Sequence, residues 1–182
     1  MPILIGLAVV LGLFFIIVAI RPSDFRVTRS ATIAAPPDQV LPHVNELRKW
    51  EVWNPWGKLD PDCQMTYHGP AAGVGAGYAR AGNNKVGEGR NTITESEPNH
   101  RVQFRLEFMK PVKTTTTAEV TFQPHGDQTM VTRTMSGKNN FVGKAFGLVV
   151  DCDKMIGGQF EKGLAQMKSL VEAAAGKIPV HS

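Results

Sequence analysis

Residues 3–20 carry no charged or polar side chain; Ile, Leu, Val, Ala and Phe fill them together with two glycines. A helix of that length reaches about 27 Å, close to the hydrocarbon thickness of a bilayer. Because it is apolar on every side, the run predicts a membrane helix rather than a core helix with one buried face. A cleavable signal peptide would carry a basic leader and a small-x-small cleavage site. Here only Met1 and Pro2 precede the run, and it ends Ile17-Val18-Ala19-Ile20-Arg21.

Beyond a polar link containing Pro22, the pattern changes to period two. Phe25, Val27, Arg29, Ala31 and Ile33 alternate with Arg26, Thr28, Ser30 and Thr32, which predicts a strand. Ala34-Ala35-Pro36-Pro37-Asp38 ends it, and residues 39–50 read as one or two short helices interrupted near Pro42. All three tryptophans fall in Trp50-Glu51-Val52-Trp53-Asn54-Pro55-Trp56; the Asn-Pro step puts Trp53 and Trp56 on a loop packed against the sheet. Further strands are expected at 64–68, through Tyr78, and at 86–95, 102–109, 114–122 and 129–136. Gly87 and Gly89 suggest a bulge in the third of these, and Pro111 closes the fourth. The clearest alternation sets Val102, Phe104, Leu106 and Phe108 against Gln103, Arg105 and Glu107.

Residues 140–175 return to helical spacing. Phe141, Ala145, Leu148, Val149, Cys152, Met155, Ile156, Phe160, Leu164, Met167, Val171 and Ala174 fall on one stripe. Such a helix would be roughly 50 Å long, more than the domain can accommodate, so a break is expected at Gly157-Gly158. Strand, helices, about six strands and a long helix make an α+β chain: antiparallel neighbours form a curved sheet, and the helix closes one face. The expected organisation is an anchor and link over 1–22, a domain over 23–176 and a tail over 177–182.

Charge refines this picture only slightly. All 20 Lys and Arg and all 16 Asp and Glu lie beyond residue 20, giving the domain its formal +4. The basic residues are interspersed with acids and no recognition motif accompanies them, which argues against nucleic acid as a partner. Arg21, Arg26 and Arg29 follow the apolar run, and on the positive-inside tendency the domain lies on the cytoplasmic side. Cys63 and Cys152 make neither a disulfide framework nor a metal site, and no pair of the five histidines has metal-ligand spacing. Gly73-Val74-Gly75-Ala76-Gly77-Tyr78 resembles a nucleotide loop only superficially: its spacing is G-x-G-x-G and no βαβ unit surrounds it, so no cofactor is expected.

The chain resembles the helix-grip SRPBCC, START-like (Bet v 1-like) superfamily, and within it the bacterial polyketide cyclase/dehydrase-type proteins, many of which carry an N-terminal apolar helix. The stretches that carry the resemblance include Phe25-Arg26-Val27, Ala35-Pro36-Pro37, Trp53-Asn54-Pro55-Trp56, Lys58-Leu59-Asp60-Pro61 and Gly69-Pro70-Ala71-Ala72-Gly73-Val74-Gly75. Further on are Ile93-Thr94-Glu95, Thr129-Met130-Val131-Thr132 and Asp153-Lys154-Met155-Ile156-Gly157. The resemblance implies an elongated apolar cavity between sheet and helix, lined by Trp53, Trp56, Tyr67, Tyr78, Phe104, Phe108, Met135, Met155, Phe160 and Met167. Each of these also suits a packed core.

Arg133 departs from the family pattern, which has an aromatic residue there. If its face is inward, the guanidinium needs a carboxylate or a bound anion; if the register slips by one, it sits in water. No nucleophile elbow or metalloprotease motif is present. Glu88, Glu95 and Glu107 could each act as a base only if turned into the cavity. Three functions follow as expectations: a membrane-tethered module that binds or transports a lipid or other apolar small molecule, a cyclase- or dehydratase-like enzyme on a hydrophobic substrate, or a non-catalytic interaction domain.

Overall fold

The computed structural model describes residues 2–83, 86–110 and 113–176. The break expected at Pro111 and the tail expected over 177–182 lie outside the described residues. A first helix, α1 (Pro2–Ile20), leads into the edge strand β1 (Asp24–Ile33). Then come α2 (Pro37–Asn45), a 3₁₀ turn (Leu47–Lys49), the one-turn helix α3 (Trp50–Trp53) and a second 3₁₀ turn (Pro55–Leu59). Trp53 therefore closes a helix and Trp56 lies in a 3₁₀ turn, not on the loop the Asn-Pro step suggests. The reason is local: Pro55 sits at the start of the turn, where a missing N–H costs nothing.

Six strands follow: β2 (Gln64–His68), β3 (Gly77–Ala81), β4 (Glu88–Glu97), β5 (Arg101–Lys110), β6 (Thr114–His125) and β7 (Gln128–Lys138). With β1 they form one antiparallel sheet ordered β1-β7-β6-β5-β4-β3-β2. The register of β4 on β5 shifts between Glu88 and Gly89, where a Cβ on Gly89 would stand 2.6 Å from the Glu107 carbonyl oxygen. That close approach is what the strand glycines serve. The glycine-rich run before β3 is a turn: Gly69, Gly73 and Gly75 all have positive φ, and a Cβ on Gly69 would meet the Gly75 carbonyl oxygen at 2.1 Å.

The C-terminal run is two helices, α4 (Phe141–Val149) and α5 (Cys152–Ala175). The break lies at Val150–Asp151, not at Gly157-Gly158. Val150 is extended, and the Asp151 side chain accepts the Lys154 N–H at 3.0 Å, capping a new helix. Gly157 serves contact instead. A Cβ there would lie 2.2 Å from Nη2 of Arg29, so the missing side chain lets α5 settle against β1. Arg29 then pairs with Asp153 and Glu161, both at 2.7 Å. Further along, Lys168 donates to the Thr32 carbonyl at 2.6 Å and Glu172 accepts the Ala34 N–H at 2.7 Å.

The interior divides in two. The larger part packs Val40, Val44, Leu47, Trp50 and Trp53 from the helical segment on Ile33, Val102, Phe104, Val120, Phe122 and Val131 of the sheet. Leu164, Met167 and Val171 of α5 close it. The smaller part has Val27, Met135 and Phe160 buried, with Phe25, Leu106, Phe108 and Ile156 only partly covered.

Candidate functional site

The strand register lays out the concave face row by row. Phe25, Gly137, Thr116, Leu106, Asn91 and Tyr78 form one row across the sheet. Val27, Met135, Ala118, Phe104 and Ile93 form the next, and Arg29, Arg133, Val120 and Val102 the one beyond. All these side chains share one face because the alternation of each strand is in phase with its neighbours.

Between the β2–β3 end of this face and the tryptophan segment lies a hollow of about 380 Å³, walled by Trp50, Asn54, Trp56, Tyr67, Tyr78 and Arg80 among others. At the opposite end a hollow of about 210 Å³ is bounded by Phe25, Phe108, Thr116, Met135 and Asn139. It lies next to the link after α1, since the Asn139 N–H donates to the Ser23 carbonyl at 2.7 Å. A narrow space of about 20 Å³ between them shares Tyr78 and Arg80 with the first and Phe108 with the second. The Arg80 guanidinium stands over the Phe108 ring at 5.7 Å. The openings are thus strung along one face and share these side chains in their walls.

Of the residues expected to line a cavity, Trp56, Tyr67, Tyr78, Phe108 and Met135 border these spaces. Trp53, Phe104 and Met167 are sealed in the packed core, and Phe160 in the smaller cluster. Met155 is corrected outright. It is 46% exposed, because the stripe drawn over 140–175 runs through the Val150 break and loses its phase there. Cys152 is only half-buried. Glu88, Glu95 and Glu107 are not free bases: they pair with Lys110 at 2.7 Å, Arg101 at 2.7 Å and Arg105 at 3.7 Å.

Arg133 faces inward and is buried, 6% exposed. Its Nε and Nη1 are sealed from solvent and have no hydrogen-bond partner. Its neighbours are ring faces: Phe160 at 4.4 Å, Trp50 at 5.2 Å and Trp53 at 5.6 Å. Cation–π contacts return about 2 kcal/mol when desolvated. Sealing a charge from water costs several kcal/mol, and ring faces leave the in-plane N–H donors unsatisfied. Burial accordingly pulls its pKa down to about 10.

Sequence reasoning missed Glu51, Asn54 and Asn91. The Tyr67 hydroxyl donates a hydrogen bond to the Glu51 carboxylate beside the hollow, and Arg48 covers the Tyr67 ring at 4.3 Å. Burial, then that carboxylate, raises the Tyr67 pKa. Asn54 Oδ1, both amide atoms of Asn91 and Thr116 Oγ1 are buried without partners. The alternation Gly89, Asn91, Ile93 was signal enough to turn Asn91 inward. Among the described residues no group of three His, Cys, Asp or Glu side chains could hold a metal.

Residues 24–172 match the model of the family described as polyketide cyclase / dehydrase and lipid transport. The chain belongs to that family. It lies within the SRPBCC (Bet v 1-like) superfamily, and its fold is one of hydrophobic-ligand binding. No curated protein matches the chain. Solved structures share the fold at low identity. A protein from Chromobacterium violaceum is 15% identical with a TM-score of 0.58, over 84% of this chain and 99% of that one. Protein Ms6760 from Mycobacterium smegmatis is 20% identical with a TM-score of 0.56, over 82% and 92%. Ara h 8.0201 is 10% identical with a TM-score of 0.54, over 82% and 99%.

Proposed function

We propose that the protein binds a lipid or other apolar small molecule along the concave face while α1 tethers it to a membrane. Residues 1–22 would serve as anchor and link and residues 23–176 as the ligand-binding domain, on the cytoplasmic side. The observation that carries this reading is the string of openings along the concave face, which share Tyr78, Arg80 and Phe108 in their walls. The larger hollow, about 380 Å³, falls in the usual range for small-molecule sites.

Two observations support the tether. Ile3–Ile20 is long and apolar enough to cross a bilayer. Helix α4 buries none of its own residues, yet it lies on α1: Phe15 stacks on Phe141 at 5.6 Å, and Lys144 Nζ donates to the Ala19 carbonyl at 3.3 Å. Phe15 sits five residues before the end of α1, about 7–8 Å below it along the helix axis. A bilayer spanned by α1 would therefore take in the exposed Phe141, Val142 and Phe146 as well. The 210 Å³ opening would then lie close to lipid, a route by which cargo moves between bilayer and cavity.

Native mass spectrometry of the full chain, extracted in mild detergent, tests the reading. One apolar molecule per chain is expected, with the protein retained in carbonate-washed membranes. A ligand-free chain would leave a scaffold. The Tyr67–Glu51 pair at the hollow favours a second reading, proton transfer on a bound hydrophobic substrate. Turnover abolished by Glu51→Gln with ligand binding retained would support it.

A further inference from the structure

Arg133 is a buried, inward-facing guanidinium whose Nε and Nη1 have no hydrogen-bond partner; Arg29, beside it in the same row, is paired with Asp153 and Glu161. Its surroundings also form part of the wall of the hollow. Trp50 lies under the guanidinium and lines the 380 Å³ space, and Tyr78 lines that space too. Next to Tyr78 in register, Asn91 keeps both amide atoms buried and without partners, and in the same row Thr116 does so with its hydroxyl. Nearby acids are already engaged. Asp60, on the hollow's rim, accepts the backbone N–H groups of Asp62 and Asn83, and Glu51 holds Tyr67. The interior therefore holds an uncompensated positive charge against Trp50, a wall of the 380 Å³ space.

We propose that the ligand is an anionic amphiphile, an apolar tail ending in a carboxylate that the Arg133 guanidinium receives. One guanidinium balances one carboxylate, whereas a doubly charged phosphate monoester would leave a negative charge over in a desolvated site. Planar N–H donors held between ring faces suit in-plane recognition of a carboxylate. This inference rests on the ligand-binding reading above and adds the head group to it.

The test compares decanoate, decan-1-ol and decylammonium on the full chain in detergent micelles, read by tryptophan emission, since Trp50 and Trp53 flank Arg133. Decanoate is expected to bind at least about tenfold more tightly than decan-1-ol, the scale of a hydrogen bond to a charged group, and decylammonium most weakly. In Arg133→Met the preference should vanish while decan-1-ol affinity stays put, which also shows that the variant has folded. Equal affinity for decanoate and decan-1-ol in the wild type would overturn the carboxylate site and leave the apolar reading standing. So would a preference that survives in Arg133→Met. If none of the three binds the wild type, the ligand-binding reading falls and takes this one with it. Should Arg133→Met not fold, the order of the three probes on the wild type decides alone.

Discussion

The two halves of the interior follow opposite rules. Around Trp50, Trp53 and Phe104 the rings interlock, with centroids 5.0 and 5.1 Å apart, and α2, α3 and the C-terminal half of α5 close the sheet. Toward α1 only Val27, Met135 and Phe160 are buried, and Phe25 and Phe108 border open space. The same sheet supplies both halves. What differs is the helix cover: α5 runs along β1, held there by Arg29 and by the bare backbone of Gly157, and leaves the part of the concave face bounded by Phe25, Phe108, Thr116 and Met135 open. Stability resides in one half, so the other is free to stay open.

Truncation should separate them most sharply. Trp53→Ala is expected to destabilise by about 3–5 kcal/mol, because its cavity opens among fixed neighbours. Met135→Ala, beside existing space, should cost at or below about 2 kcal/mol. Denaturant unfolding of both variants checks this, and equal losses would erase the distinction. Next in size and opposite in sign, Arg133→Met should raise the stability of the ligand-free protein by about 1–4 kcal/mol, since it replaces an uncompensated buried charge with a side chain of similar length. A loss of stability would mean that the three rings satisfy the guanidinium unaided.

Much of this contrast was legible in the sequence. The sheet was readable because period-two alternation is a local record of a two-sided surface, and the run from Val102 to Phe108 shows it without interruption. Arg133 could be flagged but not placed, since a one-residue slip would have turned it to water; pairing with Val120 and Arg29 fixes it inward. The helix break was misplaced because backbone freedom at Gly157-Gly158 was weighed and tertiary contact was not. The competing signal, a capping Asp151 three residues before Lys154, was present but lay inside an apparently continuous stripe. Met155 followed from the same error. Glu51 gave no sign of its partner, because Tyr67 is distant in sequence and reaches it only once β2 joins the sheet.

At the membrane side the expected effect on folding is small. Phe141→Asp with Phe146→Asp should change unfolding stability by under about 0.5 kcal/mol, because neither side chain is buried in the domain. The pair should nevertheless weaken vesicle binding of the full chain; undiminished binding in a flotation assay would show that α4 stays out of lipid.

Smallest of all is a pH effect in the packed half. Burial, assisted by Lys49, lowers the pKa of His43 below its ordinary 6.5. As pH falls through 6.5 the unfolded chain then takes up the proton before the folded one. The stability present above that pH should decline toward the folded pKa, and His43→Gln should flatten the decline in thermal melts between about pH 5 and 6.5.

The most direct test of the account is a photoactivatable diazirine fatty acid incubated with the full chain in lipid nanodiscs, with the crosslinks mapped by peptide mass spectrometry. The account predicts saturable labels on the walls of the openings, at Trp50 to Tyr67, Tyr78, Phe108 and Met135, displaced by excess decanoate. Labels confined to α1 and α4, unaffected by competitor, would contradict it, since they would show a protein that touches lipid only from outside.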